Sequence, residues 1–96
     1  MSIRVVARDH FKPECLEEAL KLLKEMVELT RKEEGCISYQ LSQDVNSPEY
    51  YAMQECWASE EALKKHMQSE HFTRLIPQLG GLTSEPGRLE VYKEIF

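Results

Sequence analysis

The sequence predicts an α+β fold in which strands and helices follow one another as β-α-β-β-α-β. Three observations support this order. Four segments alternate apolar and polar side chains with a period of two, which is typical of strands. The segments after the first and third strands repeat apolar residues at spacings of three and four, as amphipathic helices do. Only the short polar stretch DVNSPE separates the second and third strands, which predicts an antiparallel hairpin.

The first strand and the first helix are predicted within the N-terminal third of the chain. Residues 2–9 alternate, and the face predicted to point inward comprises Ile3, Val5 and Ala7. Pro13 lies in the first turn of the following helix, where its missing N–H removes no hydrogen bond. Gly35 is predicted to end this helix as the residue after its C-cap.

The hairpin is predicted from residues 36–43 and 50–57. In CISYQLSQ, the inward face comprises Ile37, Tyr39 and Leu41. In YYAMQECW, the inward face comprises Tyr51, Met53, Glu55 and Trp57. Glu55 is the only charged side chain in these two inward rows, so it is a candidate for a paired or functional carboxylate.

Two serines mark the remaining helical region. Ser59 is predicted to cap a helix with an inward stripe of Ala62, Leu63, His66 and Met67. Ser69 is predicted to cap a further segment that ends at Gly80-Gly81, with an inward stripe of Phe72, Leu75, Ile76 and Leu79. Residues 88–96 alternate again as a last strand. This order is the ferredoxin-like arrangement, a four-stranded antiparallel sheet with helices on one face.

The chain is short enough to form one domain, over residues 1–96, and its strands predict a partner. Some strands carry apolar residues on both faces, such as Val5 beside Val6 and Tyr50 beside Tyr51. Helices cover only one face of such a sheet. We therefore expect the sheet of a symmetry-related subunit to cover the other face, which gives a homodimer.

Composition excludes several classes of protein. The formal net charge of −5 disfavours nucleic acid and anionic membrane surfaces as partners. The segment CISYQLSQ lacks the basic residues of RNA-binding modules with this strand order. No apolar run reaches the roughly 20 residues of a membrane span, and a cytoplasmic location is the expectation. The three cysteines are widely spaced, so we expect reduced side chains without a disulfide or zinc site.

Two of the three histidines, His66 and His71, lie five residues apart. On one continuous helix they would be separated by about 140°, so they converge only if the helix breaks near Ser69. No carboxylate or cysteine at a familiar spacing completes a metal site, and no metal is expected. His66 is interpreted either as a core histidine bonded to a carbonyl or as a proton acceptor beside a cavity. His71 is expected to be a capping or surface residue, and His10 a surface residue.

Glu55 and the aromatic residues near it have similar alternative interpretations. Glu55 is expected to pair with Arg4 or Arg8 of another strand, because buried carboxylates generally need a partner. An apolar environment could instead raise its pKa and make it an acid or base. Three aromatic side chains end in a polar group that could orient a small molecule in a pocket. They are Tyr39, Tyr51 and Trp57.

The segments EEGCISY, ECWASEEALKKH and SEHF, in this order, resemble the antibiotic biosynthesis monooxygenase domain, which includes small quinol monooxygenases. The resemblance covers nearly the whole chain. It implies a dimer of ferredoxin-like subunits whose sheets together form an α/β barrel. It also implies oxidation of a small phenol or quinol by O₂ without a metal or flavin cofactor.

The same resemblance implies roles for particular residues. His66 falls on the helix histidine of the family and is the implied general base. Arg8 is a candidate for stabilising an oxyanion if its side chain points inward. The residues implied to bind substrate are Tyr51, Trp57 and Phe72, with Tyr39, Glu55 and His71 assigned to the same pocket.

Two other functions remain open at this point. Haem-degrading relatives use an Asn, a Trp and a His at places that hold Ala7, His66 and Ile76 here, which argues against haem degradation. A branch that isomerises the phosphorylated signal autoinducer-2 is similar in length and in the region around the histidines. A dimer that binds a small ligand without turnover is the non-enzymatic alternative.

Overall fold

The computed structural model describes residues 1–96 and confirms the ferredoxin-like α+β fold. The strands pair antiparallel in the order β2-β3-β1-β4, and the helices pack on one face of this four-stranded sheet. A single 3₁₀ turn at Pro13–Cys15 precedes the first helix. None of the helices combines the length and apolarity that a membrane span requires. The elements are β1 Ile3–His10, α1 Leu16–Thr30, β2 Cys36–Gln43, β3 Tyr50–Trp57, α2 Glu60–Met67, α3 Glu70–Gly80 and β4 Arg88–Lys93.

The core lies between the helices and the inner face of the sheet. It forms because the inward rows of β1 and β3 meet the apolar stripes of α1 and α3. Burying each large apolar side chain stabilises the fold by about 1.5–3 kcal/mol. The most completely buried large side chains are Trp57, Met26, Leu75 and His66. The imidazole of His66 is polar, which is unusual for a side chain buried this completely. Its hydrogen-bond partners are described below.

Two predictions about the start of β2 are wrong. Helix α1 ends at Thr30, and a turn of four residues separates it from Gly35, which therefore is not its C′ residue. Gly35 instead has φ +86° and lies against α2, where an added Cβ would be 2.6 Å from the Cβ of Ala62. The strand register then shifts between Cys36 and Ser38, and this irregularity leaves Ile37 exposed rather than inward.

The helical region after β3 is broken into two helices that are capped by serines, as predicted. Ser59 Oγ accepts a hydrogen bond from the backbone N–H of Ala62, and Ser69 Oγ accepts one from Phe72. Ser69 also donates its hydroxyl to the carbonyl of His66 at 2.6 Å. Two predicted inward residues, Met67 and Ile76, are exposed, because α2 and α3 present only narrow faces to the core.

Strand β4 is the exposed edge of the sheet. Leu89 pairs with Ala7 and Val91 pairs with Val5, so both point to the helix-bearing side. No helix covers this end, and Leu89 remains 64% exposed and Val91 53% exposed. Apolar surface therefore extends along β4 to the C-terminal Phe96.

Candidate active site

A cavity of about 280 Å³ lies between the sheet and helices α1 and α3, and we call it the inner cavity. Asp9, Tyr39, Glu55 and Thr83 contribute its polar side chains, and no lysine, arginine or histidine lines it. Leu89 of the exposed edge strand also lines it. Its other apolar walls are formed mainly by Leu23, Met26, Met53, Phe72, Ile76 and Leu79. Such a mostly apolar cavity with few polar groups is typical of a small-molecule site.

Glu55 is buried on the wall of the inner cavity without a cationic partner. Trp57 donates its indole N–H to Oε1 of Glu55 at 2.9 Å. The predicted pairing with Arg4 or Arg8 is wrong, because both arginines project from the opposite face of β1. Arg4 binds Glu94 at 3.1 Å and Arg8 binds Asp44 at 2.8 Å.

This environment favours the protonated form of Glu55. Burial is the main cause and raises the pKa of Glu55 to about 7, while the hydrogen bond from Trp57 partly opposes the change. The negative charge of Glu33 also raises it. Burial likewise raises the pKa of Asp9 and of Tyr39. At neutral pH the inner cavity therefore contains a carboxyl group that can both hold and release a proton.

Behind the wall of the cavity, Glu33 joins the two histidines, and we call these residues the Glu33–His66–His71 trio. One carboxylate oxygen, Oε2, lies 2.7 Å from Nδ1 of His66 and 2.7 Å from Nε2 of His71. The 140° separation expected on one helix does not apply, because the chain breaks between α2 and α3. No carboxylate was expected to join the histidines from a familiar sequence spacing, and Glu33 joins them from a distant part of the sequence. His71 is partly buried in this trio rather than a simple surface residue.

The trio fixes the tautomer of His66. A carboxylate only accepts hydrogen bonds, so Nδ1 of His66 carries the proton and Nε2 carries the lone pair. Nε2 is buried and has no hydrogen-bond partner. Burial lowers the pKa of His66, and Glu33 opposes this effect in part. His66 is thus a neutral imidazole whose basic nitrogen is unused. Neither ring nitrogen is bonded to a backbone carbonyl.

The same three residues also have the donor atoms of a metal centre. Their nearest nitrogen and oxygen atoms all lie within 4.8 Å of one another, a spacing that a metal ion could bridge. A metal on Nδ1 would leave the Nε2–H of His66 as a buried donor without an acceptor. Histidines that bind metals ordinarily donate this N–H to a carboxylate, carbonyl or water. The arrangement therefore fits a hydrogen-bonded trio better than a metal centre.

The structure brings most of the predicted site residues together. Tyr39, Glu55 and Phe72 line the inner cavity. His66 lies directly behind them, with its ring centroid 5.5 Å from that of Tyr39 and 5.0 Å from that of Phe72. The ring centroid of Trp57 lies 4.6 Å from that of His66, with the ring planes tilted by 35°. Neither Trp57 nor His71 lines the inner cavity, so their predicted place in its wall is wrong.

Two predicted residues lie elsewhere. Arg8 lies over the ring of Tyr50, 4.3 Å from its centroid, on the face of the sheet opposite the inner cavity. A role for Arg8 in stabilising an oxyanion in this cavity is therefore wrong, because strand parity directs it outward. Tyr51 packs against Phe11 at 6.3 Å and is not part of the cavity wall.

Sequence reasoning missed three polar residues of the site, Glu33, Asp9 and Thr83. Glu33 lies in the turn after α1, so no helical or strand period predicts its direction. The proximity of Glu33 to the histidines depends on how α1 and the turn after it pack against the later helices. Asp9 follows Ala7 at the end of the inward row of β1, and this position was the sequence signal that could have identified it.

Comparisons with known proteins agree with this fold. The matching family model is described as antibiotic biosynthesis monooxygenase and covers residues 2–78. A Bacillus subtilis protein, the candidate monooxygenase YcnE, is 35% identical over 78% of this chain and 79% of its own length. An uncharacterised Synechocystis protein is 30% identical over 85% of this chain, which spans only 56% of that protein. The crystal structure of a conserved protein from Methanosarcina mazei has a TM-score of 0.96 at 37% identity, over 99% of this chain and 94% of that one.

Proposed function

Because the chain belongs to the antibiotic biosynthesis monooxygenase family, we propose that it oxidises a small phenol or quinol with O₂. The reaction takes place in the inner cavity and uses no metal or flavin. One observation carries the proposal: the cavity is mostly apolar, and two of its wall residues, Tyr39 and Phe72, pack against a buried, neutral imidazole with a free lone pair.

The chemistry needs only a base, O₂ and a dry cavity. Loss of the hydroxyl proton makes an electron-rich phenol a reductant that passes an electron to O₂ directly. The resulting radicals combine into a peroxide on the ring carbon. One oxygen atom then stays on that carbon as a carbonyl, and the other leaves as water with the two hydrogens that the substrate loses. The apolar walls exclude water and protect the reactive intermediates.

His66 is the proposed base. Glu33 holds Nδ1–H and stabilises the imidazolium that forms when Nε2 accepts the proton, as carboxylates do in other base–carboxylate pairs. Phe72 lines the cavity and its half-buried ring packs against His66, so movement of this ring is the proposed route of the substrate hydroxyl to Nε2. His71 supports the same carboxylate from outside.

The enzyme is proposed to act as a homodimer. Leu89 lines the inner cavity and is nevertheless largely exposed, so the cavity is open on the side of β4. A second subunit over this apolar edge would close the cavity and supply the dryness that the reaction needs. The two-sided apolar strands noted in the sequence are a separate argument for a partner, since they predict that its sheet covers the face opposite the helices.

Oxygen uptake by metal-stripped protein on a panel of quinols and anthrone-like phenols tests the function. Removal of a general base typically slows a reaction about 10²–10⁴-fold, so His66→Ala should lose at least about 100-fold. His71→Ala should lose less than about tenfold, because the bond between Glu33 and His66 remains. His10→Ala, at the far end of β1, is the matched control and should retain full activity.

Several outcomes would contradict this mechanism. Near-full activity of a folded His66→Ala would remove His66 from the role of base. Loss of activity on chelation, with recovery on adding back a metal ion, would exclude a metal-free reaction. No oxygen uptake on any substrate, together with tight binding of a phenol, would favour the non-catalytic alternative.

The phosphorylated signal isomerase is less well supported by the cavity. Its walls hold the carboxyl groups of Asp9 and Glu55 and no cationic side chain. A phosphate would find no charged donor there. An uncharged phenol suits these walls.

A further inference from the structure

We propose that Glu55 is the general acid of this reaction, which donates its proton to the oxygen that leaves as water. This inference rests on the proposed function and adds a second catalytic residue to it. His66 removes the first proton, and Glu55 completes the cleavage of the O–O bond.

The position of Glu55 supports direct contact with the substrate. The carboxyl group lines the inner cavity, and Trp57 bonds only its Oε1. No protein group bonds Oε2, so this oxygen is free to carry a proton towards a bound molecule. The indole of Trp57 holds the carboxyl group in one orientation, as a positioned acid requires.

The groups around Glu55 let it hold its proton up to about neutral pH. Trp57, on the same strand as Glu55, is neutral. On the neighbouring strand β2, Tyr39 and Cys36 are uncharged when protonated. The charged or titratable groups on the remaining sides are Asp9 of β1, Glu33 after α1 and His66 of α2. None of these is a fixed cation, and α3 contributes only apolar side chains to the wall. Burial, with the charge of Glu33, raises the pKa of Glu55 to about 7.

The step balances without another reactant. The imidazolium of His66 returns its proton to the peroxide anion, which regenerates the neutral base and gives the O–OH group. The carbon that carries this O–OH group also carries one hydrogen. Glu55 protonates the outer oxygen, the O–O bond breaks and water leaves. The electron pair of the C–H bond forms the new C=O bond, and the proton from this carbon returns to the carboxylate of Glu55. The substrate supplies all four electrons that reduce O₂.

A base and an acid with different proton affinities predict a bell-shaped pH profile. Activity should fall at acidic pH as His66 becomes protonated, which occurs below the ordinary value of 6.5 because burial lowers its pKa. Activity should also fall above about pH 7 as Glu55 loses its proton. The acidic and alkaline limbs of the pH profile thus belong to different residues, so substitutions can remove them separately.

Glu55→Gln tests the assignment, because the amide keeps the size of the side chain and can still accept the N–H of Trp57. We expect kcat to fall at least about 100-fold, the alkaline limb to disappear and the acidic limb to remain. Asp9→Asn, which changes the other carboxyl of the cavity, should keep the alkaline limb. An alkaline limb that survives in Glu55→Gln, or disappears in Asp9→Asn, would overturn the proposal.

A measurement that needs no turnover separates this proposal from the proposed function. Infrared difference spectra between pH 6 and pH 9 should contain the C=O band of a protonated carboxylic acid in the unmodified protein. The band should be absent in Glu55→Gln. No such band would overturn the role of Glu55 even if oxygen uptake confirms the monooxygenase reaction. No oxygen uptake on any substrate would overturn both proposals.

Discussion

Gly35→Ala should strongly destabilise the protein, because Gly35 combines a left-handed backbone with a close contact to α2. Its φ of +86° is a conformation that residues with a Cβ rarely adopt. The new Cβ would also lie 2.6 Å from the Cβ of Ala62, well inside the roughly 3.5–4.0 Å at which carbon atoms pack. The turn and α2 must therefore move apart.

The magnitude follows from these two effects. A left-handed conformation costs an ordinary residue about 1–2 kcal/mol. Overpacking in a well-packed core costs typically about 1–3 kcal/mol. Replacing glycine restricts the unfolded chain and offsets about 0.4–1 kcal/mol of this. The net loss in the free energy of unfolding is about 1–4.5 kcal/mol, which lowers Tm by roughly 5–35 °C in a domain of this size.

Urea denaturation at a fixed protein concentration measures this loss. Gly80→Ala is the matched control, because no atom lies within 4 Å of its added Cβ and its φ is not left-handed. It should change the free energy of unfolding by no more than about 1 kcal/mol. A double-mutant cycle with Ala62→Gly should recover about 1–3 kcal/mol, the part due to the clash. Equal losses in both single alanine variants, or no coupling in the cycle, would refute the reasoning.

Two further predictions concern assembly and pH. Sedimentation at micromolar concentration should give about twice the 11.2 kDa chain mass, and Val91→Glu on the exposed edge strand should give the monomer. Val45→Glu, in an exposed turn, should remain dimeric, and a well-folded monomeric unmodified protein would contradict the dimer. Because the pKa of Glu55 rises from 4.5 to about 7 on folding, the folded state binds the proton more tightly and stability should fall as pH rises through this interval. Each pKa unit corresponds to about 1.4 kcal/mol. Between pH 4.5 and pH 8, Glu55→Gln should therefore become more stable relative to the unmodified protein by up to about 3 kcal/mol. A difference in unfolding free energy between the two proteins that stays constant across urea titrations in this range would contradict the prediction.

Local patterns predicted the elements of this fold well because the deciding forces are local. The strands Cys36–Gln43 and Tyr50–Trp57 have the predicted bounds, since alternation and a short turn specify a hairpin almost alone. The serine caps at Ser59 and Ser69 were equally readable, because a cap bonds a backbone N–H three residues later. Ile37 was mispredicted because a strand irregularity reverses the parity on which the prediction depended.

The site was only partly predictable because its geometry depends on how separate elements dock. Strand parity placed Glu55 inward correctly, but the same parity turned Arg4 and Arg8 away from it. The sequence therefore indicated a buried carboxylate and suggested the wrong partner. Glu33 lies 33 residues from His66, and only the packing of α1 against the later helices brings them together.

The break between α2 and α3 has a consequence for the order in which the protein folds. These helices contain 8 and 11 residues, fewer than the about 12–15 at which isolated helices become marginally stable. Both should therefore become ordered only on docking, when the bond to Glu33 closes a long segment of chain. In native-state hydrogen exchange, the amides of α2 and α3 should open together, before those of the central strands β1 and β3. Helix α2, which carries the proposed base His66, thus belongs to the part of the molecule that we expect to assemble last and open first.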